Sequence, residues 1–157
     1  MAPVAHITGH VRIVASLGRV FDTIADSRNE PSFNPAMTAV ELLTPLPIGR
    51  GTRFRALMGK SRMEMFVELT EFERPQRLGS GTTSSMMETS GVPTLVAELD
   101  CTAMGWDWQL RPKGWLRLLG PLSGPLGSRR EPKILTELKV DFRTLGFGLF
   151  GVGERVE

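Results

Sequence analysis

Histidine and cysteine are too scarce in this sequence for most metal or nucleophilic chemistry. His6 and His10 are the only histidines, and both fall on the polar side of an alternating stretch, where partners for a metal ion or a triad would be hard to enclose. Cys101 is the only cysteine and cannot form an internal disulfide. It shares a strand face with Leu99, so we expect a small buried hydrophobic residue rather than a nucleophile. The sequence predicts neither a metal site nor a cofactor.

Carboxylates could serve as general acids or bases only if one of them were held inside the protein. Asp22 and Asp26 belong to a short amphipathic segment, and we expect them to face solvent or to cap a helix end. The acidic residues of the later, strand-like segments alternate with apolar neighbours, which predicts that they lie on the outer side of a sheet. These residues are Glu64, Glu68, Glu98, Asp100 and Asp107. No catalytic residue is predicted.

Gly146 opens a literal Gly-x-Gly-x-x-Gly motif that ends at Gly151. A dinucleotide-binding loop of this type needs a strand before it, a helix after it and an acidic residue about 20 positions further on. The six residues after Gly151 do not supply these features. We interpret Gly146 instead as the glycine that ends a helix.

Large apolar side chains are the most informative candidates for a binding site. Methionine adapts to irregular apolar ligands, and a bent sheet cannot fill its concave side with the small Gly, Ser and Thr residues of 79–85. The hydroxyl groups of that segment could supply a few polar contacts. The candidate ligand-binding residues, all predicted to face inward, are Phe33, Met37, Phe54, Met58, Met63, Met65, Met86, Leu99, Trp106, Trp108, Leu138 and Phe142.

Two short helices are expected near the start of the chain. Leu17, Val20, Phe21 and Ile24 recur at helical spacing, and Ser16 stands at the N-cap position. The residues from Asp26 to Asn29 favour local side-chain hydrogen bonds and should end this helix. A second, shorter helix is expected to begin at Pro31, which would hold Glu30 in an extended conformation.

Most of the remaining chain alternates as β-strands do. The Gly59-Lys60 pair predicts a tight hairpin in which Arg53 or Arg55 faces Glu64 or Glu68 on the outer side. The glycines of 79–85 predict a strongly curved strand, and 91–93 is expected to be a mobile loop. The predicted strands cover residues 4–14, 39–44, 52–58, 62–72, 78–87, 95–101 and 106–111.

The period changes to that of a helix after Gly114. Ile134, Leu135, Leu138, Phe142 and Leu145 form one wide apolar stripe, typical of an amphipathic helix. The sequence leaves two possible starts for this helix: a capping box at 128–131, or an N-cap at 131 immediately before the following proline.

Four motifs together carry a resemblance to a known family. They are Val-Phe-Asp-x-Ile-Ala-Asp-x-x-Asn-x-Pro-x-Phe-Asn-Pro (Val20 to Pro35), Pro-Ile-Gly-x-Gly-Thr-x-Phe (Pro47 to Phe54), Glu-x-x-Glu-Phe-Glu-Arg-Pro-x-Arg-Leu (Glu68 to Leu78) and Trp-x-x-Arg-Pro-x-Gly (Trp108 to Gly114). In this order, the chain resembles the polyketide cyclase/dehydrase branch of the START-like, or SRPBCC, superfamily over most of residues 4–145. The resemblance implies an α+β helix-grip fold, in which a bent antiparallel sheet wraps round a long C-terminal helix and encloses an apolar cavity. It implies no particular catalytic residue.

Length and composition are those of one globular domain. The chain has 157 residues, 41% of them hydrophobic and 23% charged, which predicts a single domain with a core at about 4–145 and a Gly- and Phe-rich tail at 146–157. The net charge of +2 is spread without long runs of one sign, so nucleic-acid binding is not expected.

No segment has the length and apolarity of a membrane span or a signal peptide, which favours a cytoplasmic protein without stable membrane insertion.

The predicted function is binding of a hydrophobic, aromatic or polyketide-like small molecule in an internal cavity. The resemblance extends this to cyclisation or dehydration of such a ligand, with catalysis largely by positioning. A non-catalytic carrier of lipids or other hydrophobic ligands fits the same residues, and a protein-interaction module is a third alternative. A homodimer is compatible with all three.

Overall fold

The computed structural model describes residues 5–34, 36–114 and 148–156. The predicted C-terminal helix, with Leu138 and Phe142, lies outside the described residues. In the described part of the chain, nine strands form one antiparallel sheet. The first is β1 (Ala5–Val14), and the others follow after the helices: β2 (Met37–Leu42), β3 (Arg53–Met58), β4 (Met63–Glu73), β5 (Arg77–Ser84), β6 (Met87–Gly91), β7 (Thr94–Ala97), β8 (Thr102–Pro112) and β9 (Gly148–Val156).

The predicted helix after the first strand is confirmed as α1 (Leu17–Ala25). Its apolar stripe buries Val20, Phe21 and Ala25. Ser16 adopts the extended backbone expected of an N-cap residue, but its hydroxyl makes no capping hydrogen bond. Packing of the apolar face, rather than this cap, must therefore hold the start of the helix in place.

The second helix is a 3₁₀ helix (Ser27–Ser32) and begins earlier than predicted. Asp26 caps it, because the backbone amide of Arg28 donates to Asp26 Oδ1 at 3.1 Å. Pro31 lies inside the helix, not at its start, and Glu30 is helical, not extended. A cap at Asp26 nucleates the turn four residues before the position that the proline favours.

The strands follow the order β2-β3-β4-β5-β6-β8-β1-β9, while β7 pairs with β5 and β8. Bulges interrupt the pairing after Val11, Met37 and Leu69. Bulges add twist and bend to a sheet. The last of these bulges lies directly opposite Gly79 and Ser80, in the glycine-rich segment for which strong curvature was predicted.

Several strand predictions were wrong in their limits: β8 begins at Thr102 rather than at residue 106, β2 lies two residues earlier than predicted, and two further segments end differently. The segment 78–87 is divided by a turn in which Ser84 Oγ accepts from the amides of Met86 and Met87 at 3.3 and 3.0 Å, and β6 then runs through Gly91 where a loop was expected to begin. The segment 95–101 ends its strand at Ala97, because the amide of Glu98 donates to the carbonyl oxygen of Cys101 at 2.8 Å and closes a tight turn.

This second turn changes the environment of two residues that were predicted to be buried. Leu99 is 99% exposed at the turn, so the prediction that it faces inward was wrong. Cys101 is half-buried rather than a core residue, and its thiol lies 3.4 Å from Glu98 Oε2. Alternation continued past the true end of the strand, which is why the sequence pattern misplaced both.

The core lies between α1 and one part of the inner face, by which we mean the side of the sheet that contacts α1. The rings of Phe21 and Phe72 meet edge to face, with centroids 5.1 Å apart. The buried cluster comprises Val11, Ile13, Val20, Phe21, Ala25, Phe54, Val67, Leu69, Leu78, Leu95 and Met104. Among the described residues, α1 with its nine residues therefore covers only part of the inner face.

The outer face carries charged pairs at the predicted positions. Arg53 donates to Glu68 at 2.9 Å, and Arg55 pairs with Glu64, which confirms the proposed cross-strand partners. Each pair is exposed and solvent-screened, so its contribution to stability is small. The pairs do confirm that these carboxylates lie outside the core.

The C-terminal strand β9 pairs with β1 from Ile7↔Val156 to Val14↔Gly148. Gly148 and Gly151, two of the three glycines in the Gly-x-Gly-x-x-Gly motif, thus lie within a strand. A phosphate-binding loop would place such glycines between a strand and a helix. Gly148 and Gly151 therefore do not have the placement of a dinucleotide-binding loop, while Gly146, the predicted helix-ending glycine, lies outside the described residues.

Two glycines allow the tryptophans of β8 to lie flat on the sheet. The register places Gly9 opposite Trp106 and Gly91 opposite Trp108. A Cβ atom at Gly9 would lie 2.7 Å from Trp106 Cε2, and one at Gly91 would lie 2.6 Å from both Trp108 Cε3 and the backbone oxygen of Asp107. Each indole occupies the space that a side chain would otherwise fill.

The Gly91→Ala substitution is expected to destabilise the fold by about 1–3 kcal/mol, because neither the ring of Trp108 nor the backbone of Asp107 can move freely. Urea unfolding of the variant and the wild type measures this. Gly49→Ala is the matched control, since a Cβ there meets nothing within 4 Å. If Gly91→Ala and Gly49→Ala unfold at the same urea midpoint, the close approach of Trp108 to Gly91 does not constrain which residue can occupy position 91.

Candidate ligand-binding face

The inner face has two parts that differ in burial. Under α1 the side chains are buried, as Phe54, Val67 and Leu69 are. Further along the same strands the side chains are only half-buried. We call this second part the methionine–tryptophan face, and its residues are Met58, Met63, Met65, Thr82, Met87, Thr89, Trp106, Trp108 and Leu110.

Cross-strand pairing brings these residues into rows. Met58 of β3 lies opposite Met63 of β4, and Ala56 lies opposite Met65. A second row runs from Val67 through Thr82 and Thr89 to Leu110 across four adjacent strands. Because directly opposed residues have side chains within contact distance on one face, the rows form a continuous apolar surface with two hydroxyl groups near its middle.

Five of the twelve predicted site residues belong to the methionine–tryptophan face, namely Met58, Met63, Met65, Trp106 and Trp108. Phe33, Met37 and Phe54 are buried beside it. Met86 lies in the β5–β6 turn and is 42% exposed, so its predicted inward orientation was wrong for the same reason as that of Leu99. Leu138 and Phe142 fall outside the described residues.

The hydroxyl groups of β5 and β6 play different parts. Ser84 is buried and structural, because its Oγ donates to the carbonyl oxygen of Met87 at 3.1 Å and accepts from the turn amides. Thr82 and Thr89 are half-buried and directly opposed. Neither of these two hydroxyls has a hydrogen-bond partner among the described residues, so both could bind a polar atom of a ligand.

A carboxylic acid on the 3₁₀ helix that precedes β2 was missed by the sequence analysis. Glu30 belongs to the 3₁₀ helix, and Asn34 Nδ2 donates to its Oε1 at 3.0 Å. Burial of the Glu30 carboxyl raises its pKa, and the Asn34 hydrogen bond lowers it by less. A single acid before a proline has no periodic signal. Phe33 lies three positions after Glu30, which is the spacing of one 3₁₀ turn, and this apolar neighbour was the one sequence feature that indicated burial of Glu30.

Three other groups have pKa shifts that do not favour acid–base or nucleophilic chemistry, namely Asp22, Asp26 and Cys101. Hydrogen bonds from Arg74 to Asp22 and from Arg28 to Asp26 lower the pKa values of both carboxyls. Burial and the neighbouring Glu98 raise the pKa of the Cys101 thiol, which keeps it protonated.

One hollow of about 340 Å³ lies where β6 ends. Its polar lining includes Thr70, Ser80, Ser90, Asp107 and Gln109, and it is open to solvent. Gly91 and Val92 complete the lining, which shares no residue with the methionine–tryptophan face.

Two negative findings apply to the described residues. Within them, no group of three or more His, Cys, Asp and Glu side chains is arranged to hold a metal ion. No helix in that part of the chain is long and apolar enough to cross a bilayer.

Solved structures resemble this chain closely in fold and weakly in sequence. A START superfamily protein from Mycobacterium smegmatis matches with a TM-score of 0.73 at 14% identity, covering 90% of this chain and 99% of the other. Ara h 8.0201 matches with a TM-score of 0.67 at 12% identity, covering 90% and 99%. An HSP90 activator from Plasmodium falciparum matches with a TM-score of 0.66 at 11% identity, covering 93% and 99%.

No family model matches the sequence, and no curated protein matches it. The structural matches extend over almost the whole length of each neighbour, and one of those neighbours is titled a START superfamily protein. The large antiparallel sheet, the two short helices after β1 and these matches agree with one another, and the chain has the START-like (SRPBCC) fold.

Proposed function

We propose that the protein binds a hydrophobic, aromatic or polyketide-like small molecule on the methionine–tryptophan face. The observation that carries this proposal is the change in burial across one continuous inner face, from a sealed core under α1 to half-buried methionines and tryptophans. A surface of this composition, with few polar groups, is typical of small-molecule sites.

The side chains suit a flat apolar ligand. Trp106 and Trp108 are held against Gly9 and Gly91, which supports a rigid aromatic surface. Met58, Met63 and Met65 have flexible, polarisable side chains that adapt to irregular shapes. A rigid platform beside an adaptable edge favours ligands whose aromatic part stacks on the indoles while the remainder contacts methionine.

Cyclisation or dehydration of a polyketide-like ligand is the enzymatic form of this proposal. Holding a flexible chain in a reactive conformation removes much of the entropic barrier to ring closure. Such chemistry also needs a group that moves protons, and Glu30 is the carboxyl among the described residues whose pKa burial raises. Glu30 is therefore the candidate for that group in the enzymatic form, whereas a carrier requires the apolar face alone.

The protein-interaction alternative has weaker support. Among the described residues, the exposed large hydrophobic residues lie on separate segments: Leu43 and Leu46 before β3, Phe66 on the outer face, Met86 in the β5–β6 turn, Val96 on β7 and Leu99 just after it. Scattered exposed residues of this kind are normal on protein surfaces. An interaction module would be expected to present them as one patch.

Native mass spectrometry of freshly purified protein is expected to show a co-purifying molecule of small mass, released by organic solvent. The physical reason is that half-buried methionine and tryptophan side chains gain free energy when an apolar ligand removes them from water. The extracted molecule can be identified by its fragmentation and ultraviolet absorption. A polar molecule in its place would argue against the proposed ligand class.

The Trp108→Ala substitution is expected to weaken binding of the apolar fluorophore N-phenylnaphthylamine by roughly tenfold, since removing an aromatic contact of about 1–2 kcal/mol changes Kd by about that factor. Fluorescence titration measures it. Leu99→Ala is the matched control from the same predicted set and should leave Kd unchanged, because Leu99 is 99% exposed. Equal Kd values for Trp108→Ala and wild type, with both folded by circular dichroism, would remove Trp108 from the site.

A further inference from the structure

The Glu30–Asn34 pair is tied to the methionine-rich end of the binding face. The amide of Met37 donates to the carbonyl oxygen of Asn34 at 2.9 Å. Met37 in turn lies opposite Met58, and Met58 lies opposite Met63. The amide of Gly59 also donates to the carbonyl oxygen of Ala36 at 2.7 Å, which fixes the β3–β4 turn to the same segment. The acid and three methionines therefore belong to one hydrogen-bonded corner.

The hydrogen bonds at this corner hold one carboxyl oxygen and leave the other available. Asn34 is buried, and its Oδ1 accepts from the amide of Ala36 at 3.2 Å, which orients its amide group. That orientation directs Nδ2 to Glu30 Oε1. Glu30 Oε2 has no hydrogen-bond partner within the described ranges, although the side chain keeps some accessible surface.

No cation neutralises this carboxyl in the part of the chain that the structure describes. On the same helix Arg28 pairs with Asp26, and on α1 Asp22 pairs with Arg74 while Arg19 is exposed. On β2, Glu41 lies near Arg55. The pKa of Glu30 is raised by burial and opposed only by the Asn34 hydrogen bond, with no contribution from these charges. An acid in such surroundings keeps its proton more readily than an exposed one and can then donate a hydrogen bond.

We propose that Glu30 is the polar anchor of the binding face, and that its carboxylic O–H donates a hydrogen bond to a carbonyl or hydroxyl oxygen of an otherwise apolar ligand. This inference rests on the proposed function and narrows its ligand class to neutral molecules with at least one such oxygen. Asn34 is a positioning residue, since it holds the carboxyl through Oε1 and leaves Oε2 to meet the ligand. Anionic ligands are disfavoured at this corner because an ionised Glu30 would repel them.

Two neutral fluorophores separate the anchor from the apolar surface. Prodan carries a ketone oxygen, and its emission responds to hydrogen bonding, whereas N-phenylnaphthylamine has no carbonyl. In wild-type protein we expect both to bind. Glu30→Ala should weaken Prodan binding by about fivefold to tenfold, the loss expected for one buried hydrogen bond, and leave N-phenylnaphthylamine binding unchanged.

The Glu30→Gln substitution is the conservative variant, because its amide still donates but does not ionise. It should retain Prodan affinity within about threefold. Wild-type Prodan affinity should fall as pH rises through the folded-state pKa of Glu30, while Glu30→Gln stays flat over the same range. The anchor is overturned if Glu30→Ala leaves the ratio of Prodan affinity to N-phenylnaphthylamine affinity unchanged. It is also overturned if Prodan affinity depends on pH in the same way in wild type and Glu30→Gln. Either result leaves the proposed function standing. If neither fluorophore binds wild type, the proposed function and the anchor both fail.

Stability against pH gives an independent readout of the same carboxyl. The pKa of Glu30 is raised above its ordinary value of 4.5, so the folded state binds more protons than the unfolded state between the two values. The stability contributed by the protonated form is full below pH 4.5 and is lost as pH rises through the folded-state pKa.

Glu30→Gln has no such loss, and its unfolding free energy relative to wild type should increase with pH. Urea unfolding of both proteins from about pH 4.5 to 8 measures the difference between their unfolding free energies. Groups that titrate in both proteins contribute equally and cancel in this difference. A difference that stays constant over this range would mean that the carboxyl is not desolvated, and the anchor would lose its proton donor.

Discussion

The structure depends on a mismatch between a long, bent sheet and the short helix that packs on it. Phe21 and Val20 of α1 fill the inner face near Phe54, Val67 and Leu69. The nine residues of α1 cannot extend over the methionines of β3 and β4 or the tryptophans of β8. Since apolar side chains are costly to leave in water, the part that α1 does not cover favours another apolar partner, which the predicted C-terminal helix, outside the described residues, or the proposed ligand would supply.

The strand alternation was the most reliable information in the sequence. It assigned Arg53, Arg55, Glu64 and Glu68 to the outer face, because a period of two depends only on backbone geometry. The same rule overextended the strand that ends at Ala97, since it cannot register a turn whose residues continue to alternate by chance. Leu99 was assigned to the interior for that reason.

The binding face was less predictable than the strands. Met58, Met63, Met65, Trp106 and Trp108 were identified because residue type and strand parity agreed. Thr89 was missed because the chain around Gly91 was expected to be a loop, and the cross-strand partners that define β6 are distant in sequence. Met87 and Leu110 lay in predicted strands but were not selected as site residues. Glu30 was missed because its burial depends on tertiary packing around a capped 3₁₀ helix, for which the spacing to Phe33 is only a weak local signal.

The position of β1 between β8 and β9 has a consequence for how the chain acquires its structure. Ile7 pairs with Trp108 on one side and with Val156 on the other, so the first strand finds its neighbours only late in the sequence. Folding speed falls as the mean sequence separation of native contacts rises. The hairpins of β3, β4 and β5 can form locally, whereas β1 must wait, and a ribosome-bound chain would expose its first strand until β8 emerges.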